Sequence, residues 1–282
     1  MKIISCMYEI IFVLRIFSSN REGVNDMDIF SVFGLLGGLA LFLFGMSVMS
    51  SGLEKLAGGR LENIIKGMTS NKYKSLALGA GVTAVIQSSS AVTVMLVGLV
   101  NSGIMSLEQS VGAIMGSNIG TTITAWLLSL VGISSDNIVL KMLKPTSFSP
   151  LLAFIGMLYI ASKSSRKKDA GLVLIGFAIL MYGMNFMSES MKPLANNQGF
   201  TSMLTAFNNP ILGVLAGLVI TAVIQSSSAS VGILQAISLT GGITYGIAIP
   251  IIMGQNIGTC VTSLISSIGV NRNSRRVATI HI

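Results

Sequence analysis

Charge is the scarcest property of this sequence. Asp, Glu, Lys and Arg make up 10% of its 282 residues against 51% hydrophobic residues, with a mean hydropathy of +0.78. Ordinary soluble domains carry about 25% charged residues, so this composition belongs in a lipid bilayer. Histidine is nearly absent. The single one, His281, stands beside the chain end and leaves little material for histidine-based acid–base chemistry, so an enzyme is not expected. The two cysteines, Cys6 and Cys260, are isolated and lack metal-ligand spacing, which reads as small packing residues rather than a disulfide framework or a metal centre. The net charge of +8 sits in short clusters between apolar runs, unlike the solvated basic face of a nucleic-acid binder. Those clusters read as topology signals, and no nucleic-acid partner is expected.

Residues 1–27 stand apart. The apolar run 3–17 is too short to span and carries Glu9 and Arg15, each costly at membrane depth. Neither a leading positive charge nor a small-residue cleavage site marks a signal peptide. Two readings remain: a peripheral helix, or an extension ahead of a start at Met27. The second is preferred.

What the chain does contain is an internal repeat. Thr83-Ala84-Val85-Ile86-Gln87-Ser88-Ser89-Ser90-Ala91 recurs letter for letter as Thr221-Ala222-Val223-Ile224-Gln225-Ser226-Ser227-Ser228-Ala229, and 225 minus 87 is 138. A second pair keeps that offset: Ile114-Met115-Gly116-Ser117-Asn118-Ile119-Gly120-Thr121 answers Ile252-Met253-Gly254-Gln255-Asn256-Ile257-Gly258-Thr259. Upstream, Gly45, Met46, Met49 and Ser50 fall on Gly183, Met184, Met187 and Ser188. Small residues alone would explain one Gln-Ser-Ser-Ser run as helix packing. Two motifs recurring in order point instead to a transporter built of two repeats, 28–162 and 163–282, with its site at their interface.

Charge sets the orientation. Residues 29–51 are long enough to span, and the following stretch holds Lys55, Arg60, Lys66, Lys72 and Lys74, which the positive-inside rule assigns to the cytoplasm. The matching stretch of the second copy has only Lys192, so the two copies read as inverted. Lys163, Arg166, Lys167 and Lys168, and later Arg272, Arg275 and Arg276, also belong on the cytoplasmic side. Parity then requires 75–100 and 211–239 to be re-entrant hairpins, their Gln-Ser-Ser-Ser tips near the midplane. Residues 107–131 and 242–268 should span, interrupted at their Gly-x-Asn-Ile-Gly-Thr runs. The counterpart of the span at 146–162 would lie at 284–300, so the second repeat reads as truncated. The expected fold is an all-α integral membrane protein: two inverted repeats, each with a re-entrant helical hairpin and an interrupted transmembrane helix.

The site inventory is neutral. Between 75 and 140 there is no Lys or Arg, and between 193 and 271 no charged residue at all. Hydroxyls, amides and the N-termini of half-helices suit an oxyanion, while carbonyl and side-chain oxygens suit a hard cation such as sodium. An anion unmatched by arginine calls for co-bound cations, which points to symport.

The twin Gln-Ser-Ser-Ser-Ala motifs, each followed by Gly-x-Asn-Ile-Gly-Thr, resemble the sodium/phosphate cotransporters of the type II class and their bacterial relatives, from about Asp28 onward. The resemblance implies sodium-coupled symport of inorganic phosphate, sodium as the coupling ion with no other cofactor, and a homodimer in the bacterial cell membrane. By motif, Gln87, Ser88, Ser89, Ser90, Gln225, Ser226, Ser227 and Ser228 would bind substrate and sodium, with Asn118, Thr121, Asn256 and Thr259 supporting. Ser117 facing Gln255, and Thr122 facing Cys260, break the symmetry. A non-transporting scaffold or sensor, or an anion channel, is the alternative on the same fold.

Overall fold

A computed structural model of the chain describes residues 29–58, 71–132, 142, 144–193, 204, 206–239, 241 and 243–282. Among them are ten α-helices: α1 Ile29–Ala57, α2 Lys72–Ile86, α3 Ser89–Asn101, α4 Leu107–Ser129, α5 Pro145–Ile160, α6 Ser165–Met191, α7 Pro210–Ile224, α8 Ser227–Ser238, α9 Tyr245–Ser266 and α10 Arg272–His281. A 3₁₀ turn, Leu130–Gly132, extends α4. Helices α1, α4, α6 and α9 are long and apolar enough to cross a membrane. Large apolar side chains such as Trp126 and Ile268 stand exposed on the outer surface, where lipid can cover them. The protein is an all-α, multi-pass membrane protein.

Small residues set the helix pairing. Gly38 and Gly45 of α1 meet the backbone of α6 near Gly183 and Gly176 respectively, so the two helices run antiparallel. The contacts are reciprocal at the sequence offset of 138. A Cβ on Gly45 would collide with Leu180 and the Gly176 carbonyl, and one on Gly183 with Phe42 and the Gly38 carbonyl. Side chains larger than hydrogen would force the helices apart, which is the use of small residues at such crossings.

The same logic pairs α2 with α4 and α7 with α9, here in parallel. A Cβ on Gly116 would strike the Leu76 carbonyl, and one on Gly254 the Val214 carbonyl, again 138 residues on. This corrects one expectation. Helices α4 and α9 are continuous through Gly116–Thr121 and Gly254–Thr259, with no interruption. The glycines serve close approach to a neighbouring backbone, and the intrahelical hydrogen bonds survive.

The hairpins turn where the sequence places them. Each first arm ends at a glutamine in the left-handed region, Gln87 at φ 60° and Gln225 at φ 58°. Ser88 and Ser226 then turn extended and cap the second arm, accepting from the backbone N–H of Ala91 at 3.2 Å and of Ala229 at 3.3 Å. Asn71 and Asn209 cap the outer ends of α2 and α7 in the same matched fashion.

The arms return to where they started. Gly112, near the start of α4, packs on Lys72 and Ser75 at the start of α2, and only 102–106 join α3 to α4. Asn271, just past α9, donates from its backbone N–H to Asn101 Oδ1 at 3.0 Å, so α9 ends beside the open end of the first hairpin. Because α7 runs parallel to α9, the open end of the second hairpin lies at the other end of α9. Phe42, Met181, Met184 and Met187, all fully buried, form the core between α1 and α6 and continue onto Ala229 of α8.

Candidate functional site

The two tips meet at one cavity of about 200 Å³. Its walls are Gln87 to Ser90 and Gln225 to Ser228, with Thr121, Thr259 and, from α1, Leu43, Met46, Ser47 and Ser50. Among the described residues, none that lines it is charged. All eight tip residues singled out from sequence are therefore brought together, along with both threonines. Asn118 and Asn256 are not. They line a second, larger cavity of about 430 Å³ with Ile119, Thr122, Cys260 and His281, and Thr259 is common to both.

A glutamine at positive φ is a strained residue that the surroundings must hold in place, and strain of this kind clusters at functional sites. Here it occurs twice. Part of the compensation is local: Gln87 Nε2 donates to the Ala84 carbonyl at 2.5 Å, and Gln225 Nε2 donates to the Ala222 carbonyl. The main-chain N–H groups of both glutamines close the last turn on Thr83 and Thr221, each at 2.7 Å.

The left-handed turn reverses the chain, so α3 and α8 both begin at the cavity. Ser89, Ser90, Ser227 and Ser228 occupy first-turn positions, whose N–H groups have no partner inside the helix. Together with the serine hydroxyls they give the cavity a ring of donors at two positive dipole ends. The glutamine amide and hydroxyl oxygens supply acceptors to the same space.

The contacts behind the tips differ between the copies. Thr124 donates to Gln87 Oε1, and Ser50 of α1 donates to the Ile86 carbonyl at 2.5 Å. Their counterparts turn inward on their own helices: Thr262 donates to the Thr259 carbonyl at 2.9 Å and Ser188 to the Met184 carbonyl at 3.0 Å. The second hairpin is held instead through α8, where Gln235 Nε2 donates to the Leu128 carbonyl at 2.6 Å and Gly232 lies under the Phe42 ring.

Sequence reasoning missed the α1 wall of the cavity. Met46 and Ser50 were visible among the repeat matches, but their partners Met184 and Ser188 are buried in the helix core and do not line the cavity. Their position relative to the tips depends on packing that no local pattern encodes. His281 was also passed over, as its surroundings come from folding α10 back onto α3.

A family model described as Na+/Pi-cotransporter matches the chain twice, over residues 41–189 and 179–280. YqeW of Bacillus subtilis is 26% identical over 245 residues, covering 86% of this chain and 76% of that protein. YjbB of Escherichia coli, named for inorganic phosphate export, is 25% identical over 246 residues, covering 86% of this chain and 43% of that one. The sodium-dependent phosphate transport protein 2A of Rattus norvegicus is 38% identical over 100 residues, 34% of this chain and 16% of that protein. The chain thus spans about three quarters of YqeW and under half of YjbB. No solved structure matches it. With a family model matched through both repeats, the chain belongs to the Na+/Pi-cotransporter family.

Proposed function

We propose that this protein carries inorganic phosphate together with sodium ions across a bacterial cell membrane, binding both between its two hairpin tips. The observation that carries this reading is the tip cavity: two identical Gln-Ser-Ser-Ser segments, reached from opposite ends of α9, wall one uncharged space. The N-termini of α3 and α8 and the hydroxyls of Ser89, Ser90, Ser227 and Ser228 receive the phosphate oxygens. Oxygen atoms of Gln87, Gln225, Thr121 and Thr259 take the sodium. Among the described residues no arginine or lysine lines the cavity to balance the anion, so sodium supplies the missing positive charge, and that requirement couples the two fluxes.

Alternating access follows from inverted copies. The antiparallel, reciprocal packing of α1 on α6 supports the inversion, as does the entry of the hairpins from opposite ends of α9. Asn118 and Asn256 take a supporting role at the second cavity, which adjoins the first through Thr259. Net flux runs down the combined gradients, so the same machinery serves uptake or export according to which gradient dominates.

The test is radiolabelled phosphate flux in proteoliposomes with a sodium gradient, with equal sodium on both sides, and with potassium in its place. Flux that follows the direction of the sodium gradient is expected. Phosphate flux of equal size in potassium would identify an anion channel, and none in any condition would leave a non-transporting protein.

A further inference from the structure

Helix α10 lies along the second arm of the first hairpin and touches it at both ends. At its start, Asn271 donates from N–H to Asn101 Oδ1 at 3.0 Å and from Nδ2 to the Asn101 carbonyl at 3.2 Å. At its end, His281 Nδ1 stands 3.4 Å from Thr93 Oγ1. Val277 and Ala278 between them are buried against the apolar side of the first hairpin.

The proton on that last contact can be assigned. Thr93 has one hydroxyl proton and gives it to the Ser89 carbonyl at 2.9 Å. With the hydroxyl so engaged, the tautomer that satisfies both contacts carries its proton on Nδ1 and leaves Nε2 as an acceptor. That atom is buried and has no hydrogen-bond partner among the described residues, in a side chain only 5% exposed. The main-chain oxygen of His281 accepts from the Cys260 thiol at 3.2 Å, fixing the residue from a second side. A chain of contacts thus runs from His281 through Thr93 to Ser89, a residue of the first tip.

We propose that His281 is a positioning residue of the first tip, a proton-sensitive latch that holds the Ser89 turn in place through Thr93. This rests on the reading of the tips as the phosphate and sodium site. Docking wants a neutral ring, since a proton added at Nε2 would be buried with no acceptor. A released ring takes up a proton near the ordinary value of about 6.5, so docking is complete above that pH and weakens as pH falls through the range beneath it.

Little else nearby titrates. Helix α3 carries no ionisable side chain; Glu108 of α4, Tyr245 of α9, Lys72 and Lys74 of α2, and Arg272, Arg275 and Arg276 of α10 are all exposed. Among the described residues, the Cys260 thiol also touches the histidine, through the main-chain oxygen.

Hydrogen exchange of the detergent-purified chain at about pH 8 and about pH 5, corrected for intrinsic rates, tests the latch without reference to cargo. Amides of residues 91–93, the first of α3 whose N–H groups have partners, should lose about tenfold in protection at the acid pH, a loss set by release of the latch. His281→Asn keeps an N–H donor but cannot titrate, and should show no such loss; Thr93→Val should be unprotected at both pH values. In proteoliposomes the KM for phosphate should rise about three- to tenfold on acidification, the range one hydrogen bond supports, with the maximal rate unchanged, and His281→Asn should abolish the difference. Phosphate speciation changes equally for both proteins, so it cancels from the comparison. Identical pH dependence of exchange in the parent and His281→Asn proteins would overturn the proposal, even if sodium-driven flux is intact. Absence of sodium-driven flux would overturn the transport reading alone, because the exchange measurement still judges the latch.

Discussion

The two hairpins share nine consecutive residues and the same tip dihedrals, yet different neighbours hold them. The first is fastened at its tip by Thr124 and Ser50 and along its second arm by α10. The second has neither tip contact, leaves Gln225 exposed where Gln87 is half-buried, and is tied down through Gln235 and Gly232 of α8. Local sequence therefore determines the shape of a tip, while the surroundings determine how firmly it is held. A transporter needs this division of labour. On the proposed transport reading, two equivalent tips form one site and unequal tethering closes one side of it while the other is free.

What the copies share is the packing of each hairpin's first arm on its long helix, so substitutions there should act equally and most severely. Gly116→Leu and Gly254→Leu each force a side chain into a neighbouring carbonyl. Each is expected to cost about 3 kcal/mol or more and to abolish folded, monodisperse protein in size-exclusion chromatography. A large difference between them would break the symmetry of the packing. The opposed entry of the hairpins should give an all-or-none result. With Cys6 and Cys260 replaced, single cysteines at Lys74 and at Asn208, near the open ends of the two hairpins, should react with an impermeant thiol reagent from opposite faces of oriented vesicles. Labelling of both from the same face would end the inverted reading.

Smaller effects probe the asymmetry itself. Thr124→Val removes the donor that holds Gln87 and should raise the phosphate KM about three- to tenfold, whereas Thr262→Val loses only a contact within its own helix and should change it less than about twofold. Equal effects would mean that Gln225 recruits its threonine in another conformation of the carrier, which would make the tethering a property of the state and not of the copy.

The hairpins were legible because an exact repeat reports itself without any knowledge of packing. The hairpin expected over 75–100 corresponds to Lys72–Ile86 and Ser89–Asn101. The second arms begin inside the repeated motif, at Ser89 and Ser227, because Ser88 and Ser226 act as caps. Glycine misled the reading of α4 and α9. In sequence, Gly116 and Gly120 look like helix breakers, since glycine lacks helix propensity in isolation. Their actual use depends on α2, some forty residues earlier, whose backbone leaves no room for a Cβ. The α1 wall of the tip cavity and the surroundings of His281 were hidden for the same reason: both are made by contacts between distant segments.

Equilibrium binding of radiolabelled phosphate to the detergent-purified chain, in sodium and in potassium, examines the shared site most directly. The parent protein should bind in sodium and lose most of that binding in potassium. Ser89→Ala and Ser227→Ala should each weaken binding by about tenfold, the loss of a hydrogen bond to a charged group, while chromatographic behaviour stays unchanged. Unaltered phosphate affinity in the double variant Ser89→Ala, Ser227→Ala would contradict a common site between the two tips.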